Sequence, residues 1–178
     1  ELSFGEGTAF EVLAGSSFTA PTLTTADGFD GTLVYASSDE DIASVDEDTG
    51  EVTIGTKIGT ATITVTSEVT ESYLAGQASY TITVLGTVNL EAFLALDDNT
   101  KTYLELDVAQ VVYKSGSSMY VRDGEKAIEF YQSDLDWETG DLPSGTLKAT
   151  KSSNRNNPQA TEIDNVDVEN AGTEEVSP

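Results

Sequence analysis

Asp48-Thr49-Gly50 is the first triplet in the chain whose residue types could do chemistry. An aspartate in such a triplet can share one proton with a second aspartate and activate water, but two triplets must then face each other across a cleft. This chain has one, set between IASV and EVTI. In that setting an Asp caps a turn and a Gly supplies the positive φ of a tight hairpin, so we read the triplet as a turn.

The neighbouring carboxylates open a second chemistry. Asp39, Glu40, Asp41, Asp46, Glu47 and Asp48 carry the hard oxygens that calcium takes, yet they lack the alternating register and terminal Glu of a helix-loop-helix calcium loop. Solvated loop charge is the expectation; no cofactor is expected, and calcium is left open. Glycosidic hydrolysis needs two acids ~5–10 Å apart across a cleft, and with 32 acids in the chain no spacing singles out a pair. The chain contains no cysteine and no histidine, which removes disulfides, thiol nucleophiles, the usual zinc sites and the commonest general base. We expect no enzymatic activity.

Two groups of residues could bind rather than react. Tyr120, Arg122, Phe130, Tyr131 and Trp137 lie close enough in sequence to form an aromatic platform. In SMYVRDG, strand alternation puts Tyr120 and Arg122 on one face and Met119 and Val121 on the other. The opposing reading makes Phe130 and Trp137 core and pairs Arg122 with a neighbouring acid. Lys148, Lys151 and Arg155 surround an expected loop where a single-stranded nucleic acid could be gripped. Against that grip stands the charge. Eight basic residues face 32 acidic ones, a formal −24, and the half of the chain that holds the three cations is itself at −11. Such a field repels polyanions, so duplex nucleic acid is excluded as a partner and glycan binding ranks above single strands.

The elements that must position these groups are strands. Thr, Val, Ile, Tyr and Ser dominate, and turn signals (GEG, LAGSS, ADGFDG, EDTG, KIGT) recur every eight to twelve residues. In GTATITVTS, Ala61, Ile63 and Val65 alternate with threonines, and in ASYTITV, Tyr80, Ile82 and Val84 do the same. Further strands are expected at 2–4, 10–13, 18–23, 33–36, 43–45 and 52–54, about the number in an immunoglobulin-like sandwich. After Val84 the pattern changes, and LGTVNLEAFLALDDNTKTY has room for a helical turn or two. Five more strands follow, the first of them long (YLELDVAQVVYKSG), which suggests a small Greek-key barrel of the OB type. The fold class expected is all-β, with domains at 1–86 and 87–178. No stretch approaches the ~18 apolar residues of a membrane helix. The chain begins at Glu1 and its only methionine is Met119, as expected of a mature product that has lost a signal or lipid-anchor segment.

Several ordered motifs now carry a resemblance. Tyr35 to Asp39, Ile42 to Val45, Thr49 to Val52 and Gly59 to Ile63 follow the order seen in group 2 bacterial immunoglobulin-like domains, and residues 1–86 resemble that family. Residues 88–170, through Ala109, Val111, Tyr120 to Gly124, Ala127, Ile128 and Gly145, resemble OB-like domains of cell-surface proteins from Gram-negative gut bacteria. The resemblances imply an extracytoplasmic, noncatalytic surface protein for adhesion or ligand display, on the cell surface or in the periplasm. They imply a host or cell-surface glycan or protein as partner. The alternative is a carbohydrate binder, or less favourably a single-strand binder, through the second half.

Overall fold

The computed structural model describes residues 2–5 and 7–177. Among the described residues the chain is all-β apart from one short helix, and it forms two compact units, Glu1–Gly86 and Thr87–Pro178. Among the described residues, no helix is long and apolar enough to cross a membrane.

Unit 1 contains β1 (Ser3–Phe4), β2 (Ala9–Leu13), β3 (Leu23–Thr24), β4 (Leu33–Ser37), β5 (Ala43–Val45), β6 (Val52–Ile54), β7 (Gly59–Ser67) and β8 (Gly76–Leu85). A four-stranded sheet runs in the order β2-β8-β7-β4, and β1-β3 and β5-β6 form two-stranded ribbons. Its central pair follows the alternation in the sequence: Ala61, Ile63, Val65, Ile82 and Val84 are fully buried, while the intervening threonines look outward and Thr60 meets Thr83 hydroxyl to hydroxyl at 3.0 Å. Burial of each of the larger ones, Ile63, Val65, Ile82 and Val84, contributes about 1.5–3 kcal/mol. Ile42 and Ala43, with Val52 and Ile54 of β6, close over that face. Tyr80 is 2% exposed and is ringed by Phe4, Phe10 and Phe18 at 4.7, 5.8 and 6.3 Å, so this immunoglobulin-like sandwich has an aromatic centre. The strand expected at 18–23 shrinks to β3. Pro21 has no N–H to give a sheet, and Phe18 instead turns its ring inward against Phe10.

Unit 2 contains β9 (Thr87–Asn89), α1 (Leu90–Leu94), β10 (Lys101–Leu106), β11 (Gln110–Ser115), β12 (Ser118–Asp123), β13 (Lys126–Phe130), β14 (Asp141–Asn154), β15 (Asn157–Asn165) and β16 (Glu169–Thr173). Asn89 caps the helix by accepting from the Ala92 N–H at 2.9 Å, and Leu90 and Phe93 are its buried residues. The long first strand expected here is interrupted at 107–109, giving β10 and β11. The sheet path is β11-β12-β13-β15-β14-β10-β9, with β13 and β15 parallel and β16 added to β14. The two sides of the 107–109 interruption therefore lie at or next to opposite ends of one path. β14 runs past both: it pairs with β10 from Lys101↔Thr150 to Leu106↔Gly145, and beyond that Ala109 N–H donates to Pro143 O at 2.9 Å and Gly140 N–H to Val111 O at 2.8 Å. Gly145 permits this change of direction. Its φ is +127°, and a Cβ there would sit 2.9 Å from the Asp167 carbonyl oxygen. The core of the unit gathers Leu104, Leu106, Val111, Met119, Val121, Ile128, Phe130 and Leu147.

Candidate functional site

The Asp48-Thr49-Gly50 triplet sits at the tip of the β5-β6 hairpin, where Val45 pairs with Val52. The capping side chain is Asp46 rather than Asp48. One Asp46 oxygen accepts from Asp48 N–H at 3.2 Å, Thr49 N–H at 2.8 Å and the Thr49 hydroxyl at 2.7 Å, and these bonds hold the Asp46 carboxyl below the usual range, the Thr49 hydroxyl most of all. Gly50 has φ +73°, and a Cβ there would approach the Tyr35 ring to 2.8 Å. The triplet is a turn locked onto β4.

The acidic run beside it is partly engaged by a lysine. Lys57 lies 2.7 Å from Asp39 and 3.8 Å from Asp41, and its hydrogen bond lowers the Asp39 pKa. Among the described residues, no three carboxylates are grouped as metal ligands.

The three candidate cations, Lys148, Lys151 and Arg155, are placed differently from one another. Lys151 is 4% exposed and its ammonium donates to Asp98 Oδ1 at 2.9 Å, Ser152 O at 3.0 Å and Ser153 Oγ at 3.1 Å. Ser153 also donates to Asp98, and together the two groups draw the Asp98 pKa down, Lys151 first. Lys151 thus staples the 97–100 loop to β14, a union the backbone repeats through Asn99 N–H to Lys151 O and Lys151 N–H to Thr100 O. Lys148 lies 3.3 Å from Asp164 on β15. Arg155 is exposed at the two-residue β14-β15 turn, with φ +51° and Asn156 at +64°, the pattern of a type I′ hairpin.

The aromatic residues divide between core and surface. Trp137 is 7% exposed and packs against fully buried Phe130 with ring centroids 6.1 Å apart, so its apolar area serves the core and presents no open face. Arg122 donates to Gln110 Oε1 at 2.7 Å across the β11-β12 pair, where an acid was expected, and Gln110 in turn donates to Glu174 O at 3.3 Å. Tyr120 is half-buried on the outer face, opposite the buried Met119 and Val121. Tyr131 is 38% exposed one residue beyond the end of β13.

What the sequence reading missed is the row in which Tyr120 stands. Pairing runs Tyr113↔Tyr120↔Glu129↔Gln159 across β11, β12, β13 and β15. A bulge makes the first pair: Val111 faces Val121, the register slips by one residue, and Tyr113 then faces Tyr120 in the place Val112 would hold. The two rings are 6.4 Å apart and tilted by 49°, and Tyr113 is 58% exposed. Beside them, Gln159 and Asn157 donate amide hydrogens to Glu129 Oε2 at 2.7 and 3.2 Å, and Asn157 also reaches the Tyr120 hydroxyl at 3.5 Å. The arrangement offers an apolar ring face, a carboxylate acceptor and the Asn157 amide, while Gln159, 5% exposed, holds the acid in place.

Comparison with known proteins adds to this picture for the first unit. Residues 22–68 match the family described as the intimin immunoglobulin-like domain. That supports the immunoglobulin-like half of the expectation and, at the coarser level, a cell-surface adhesion-type module; the group 2 assignment is finer than the match. Among solved structures, the crystal structure of human protocadherin-24 EC1-2 aligns over 94% of this chain and 95% of its own, at 12% identity and a TM-score of 0.34. No curated protein matches.

Proposed function

We propose that this chain is a noncatalytic, extracytoplasmic surface module of the adhesion or ligand-display kind, with unit 1 as an immunoglobulin-like sandwich and unit 2 as an OB-like barrel. The observation that carries it is the intimin-type match over 22–68, seated on β3 to β7 of the sandwich. The barrel reading of unit 2 is supported by its strand path, whose ends approach through the interrupted β10-β11 segment while β14 bonds to both sides of the break. The absence of cysteine and histidine from the sequence fits a display role better than an acyl- or metal-dependent one.

Beads coated with the full chain test this reading. They should adhere to a cell or mucin layer above the level of beads coated with an equally acidic unrelated protein; adhesion no greater than that control argues against it. A second reading, carbohydrate binding by unit 2, is favoured by the outward row of Tyr113, Tyr120 and Glu129. Single-strand binding is not favoured, because Lys151 is buried in its contacts with Asp98 and Lys148 faces Asp164.

A further inference from the structure

We infer that the outer row Tyr113, Tyr120 and Glu129, with Asn157, and with buried Gln159 orienting the acid, is a binding site for uncharged glycans; the inference rests on the carbohydrate reading of unit 2. Its parts match what a neutral sugar presents. A pyranose has one face of aliphatic C–H groups, which packs on an aromatic ring, and a rim of hydroxyls, each both donor and acceptor. Tyr113 and Tyr120 supply two rings 6.4 Å apart on one face of the β11-β12 pair. Glu129 supplies the acceptor next to them. Both amides bond the same oxygen, Oε2, so Oε1 is free to accept from a hydroxyl, and the carboxylate is already oriented before a ligand arrives. Asn157 lies between the ring and the acid, tied to each.

Charge selects among glycans. A carboxylate stands in the middle of the row, unit 2 has a net charge of −11, and the nearby Arg122 guanidinium is engaged by Gln110. Uronic, sialic or sulfated sugars would meet repulsion from that acid and from a unit in which the nearby cations, Arg122 and Arg155, are outnumbered. The bulge at Val112 has the same sense: it spends a ladder position to put Tyr113, rather than a valine, across from Tyr120.

Affinity electrophoresis of the full chain decides the matter, using native gels cast with neutral polysaccharides (galactomannan, xyloglucan, mixed-linkage glucan) or acidic ones (polygalacturonate, chondroitin sulfate). At least one neutral polymer should retard the protein, with little change between low and physiological salt. Tyr120→Ala and Tyr113→Ala should each weaken that retardation about tenfold. Glu129→Gln, which keeps the shape, should also weaken it, and Tyr113→Phe, which keeps the ring, should not. Retardation by neutral polymers that survives these substitutions, or retardation by acidic polymers alone, would leave the chain a glycan binder at another site and overturn the inference. No retardation by any polymer overturns both the inference and the carbohydrate reading.

Discussion

At the scale of single residues, the chemistry suggested by the acids resolves into turn formation and stapling. Asp46 caps the 46–51 loop and Asp48 does not, so Asp46→Ala should lower the melting temperature while Asp48→Ala leaves it within error. Gly50→Ala should cost about 1–2 kcal/mol, since the new Cβ meets both a left-handed backbone and the Tyr35 ring; urea melts of the variant check it. The acid limb of stability is shared by Asp39 and Asp46 with two further acids, Asp98 and Asp141. All four have folded-state pKa values below the ordinary one, Asp98 through Lys151 and Asp141 through the Glu138 N–H. The unfolded chain therefore binds protons first, and the stabilisation, complete above the unfolded pKa of ~3.9, should drain away as pH falls through the lower folded values. The alkaline limb has the opposite sign. Burial pushes Tyr80 up to about 12, so its contribution is intact below the ordinary tyrosine value of ~10 and is lost as pH rises between the two. Tyrosinate absorbance should show one ring titrating well after the rest; seven rings titrating together would contradict the buried aromatic centre.

At the scale of elements, strands whose two faces differ were legible in sequence and strands defined by distant partners were not. β5 and β6 fall at the expected 43–45 and 52–54, because each is a short apolar alternation beside a marked turn. β7 is GTATITVTS over its whole length. β9 and β16 went unread: TVN and ENAGT have no alternation of their own, and they are strands because β10 and β14 offer them an edge. The candidate row failed to show for a related reason. Alternation could give Tyr120 and Arg122 a common face, but Tyr113, Glu129 and Gln159 join it only through cross-strand register and a bulge, neither of which is written locally. Trp137 could be read as core or as platform, and Lys151 as a grip, because composition records residue type without burial. The β14-β15 turn yields a further prediction at this scale. Arg155 and Asn156 both hold positive φ without being glycine, so Asn156→Gly should stabilise unit 2 by about 0.5–1 kcal/mol, read as a raised urea midpoint.

At the scale of the whole molecule, two electrostatic effects compete, and their sizes decide which governs stability. Ion pairs engage Lys57, Lys101, Lys114, Lys126, Lys148 and Lys151, but most of their partners are well exposed, and such pairs contribute ~0–1 kcal/mol each. Even if every basic residue found an acid, the formal charge of −24 would remain, spread as −13 over residues 1–86 and −11 over 87–178. Folding crowds those charges together, and their mutual repulsion opposes the compact state. Raising salt from ~0.01 to ~0.1 M shortens the screening length from ~30 to ~10 Å, which weakens that long-range repulsion more than it weakens pairs in contact. Sodium chloride in this range should therefore raise the melting temperature, and potassium chloride should do the same, since screening depends on ionic strength and not on the ion. A melting temperature that falls with either salt would mean that the contact pairs outweigh the net charge. The exposed Lys57-Asp39 and Lys126-Glu91 pairs would then be the first to examine, because the buried Lys151 ammonium is the cation that salt screens least.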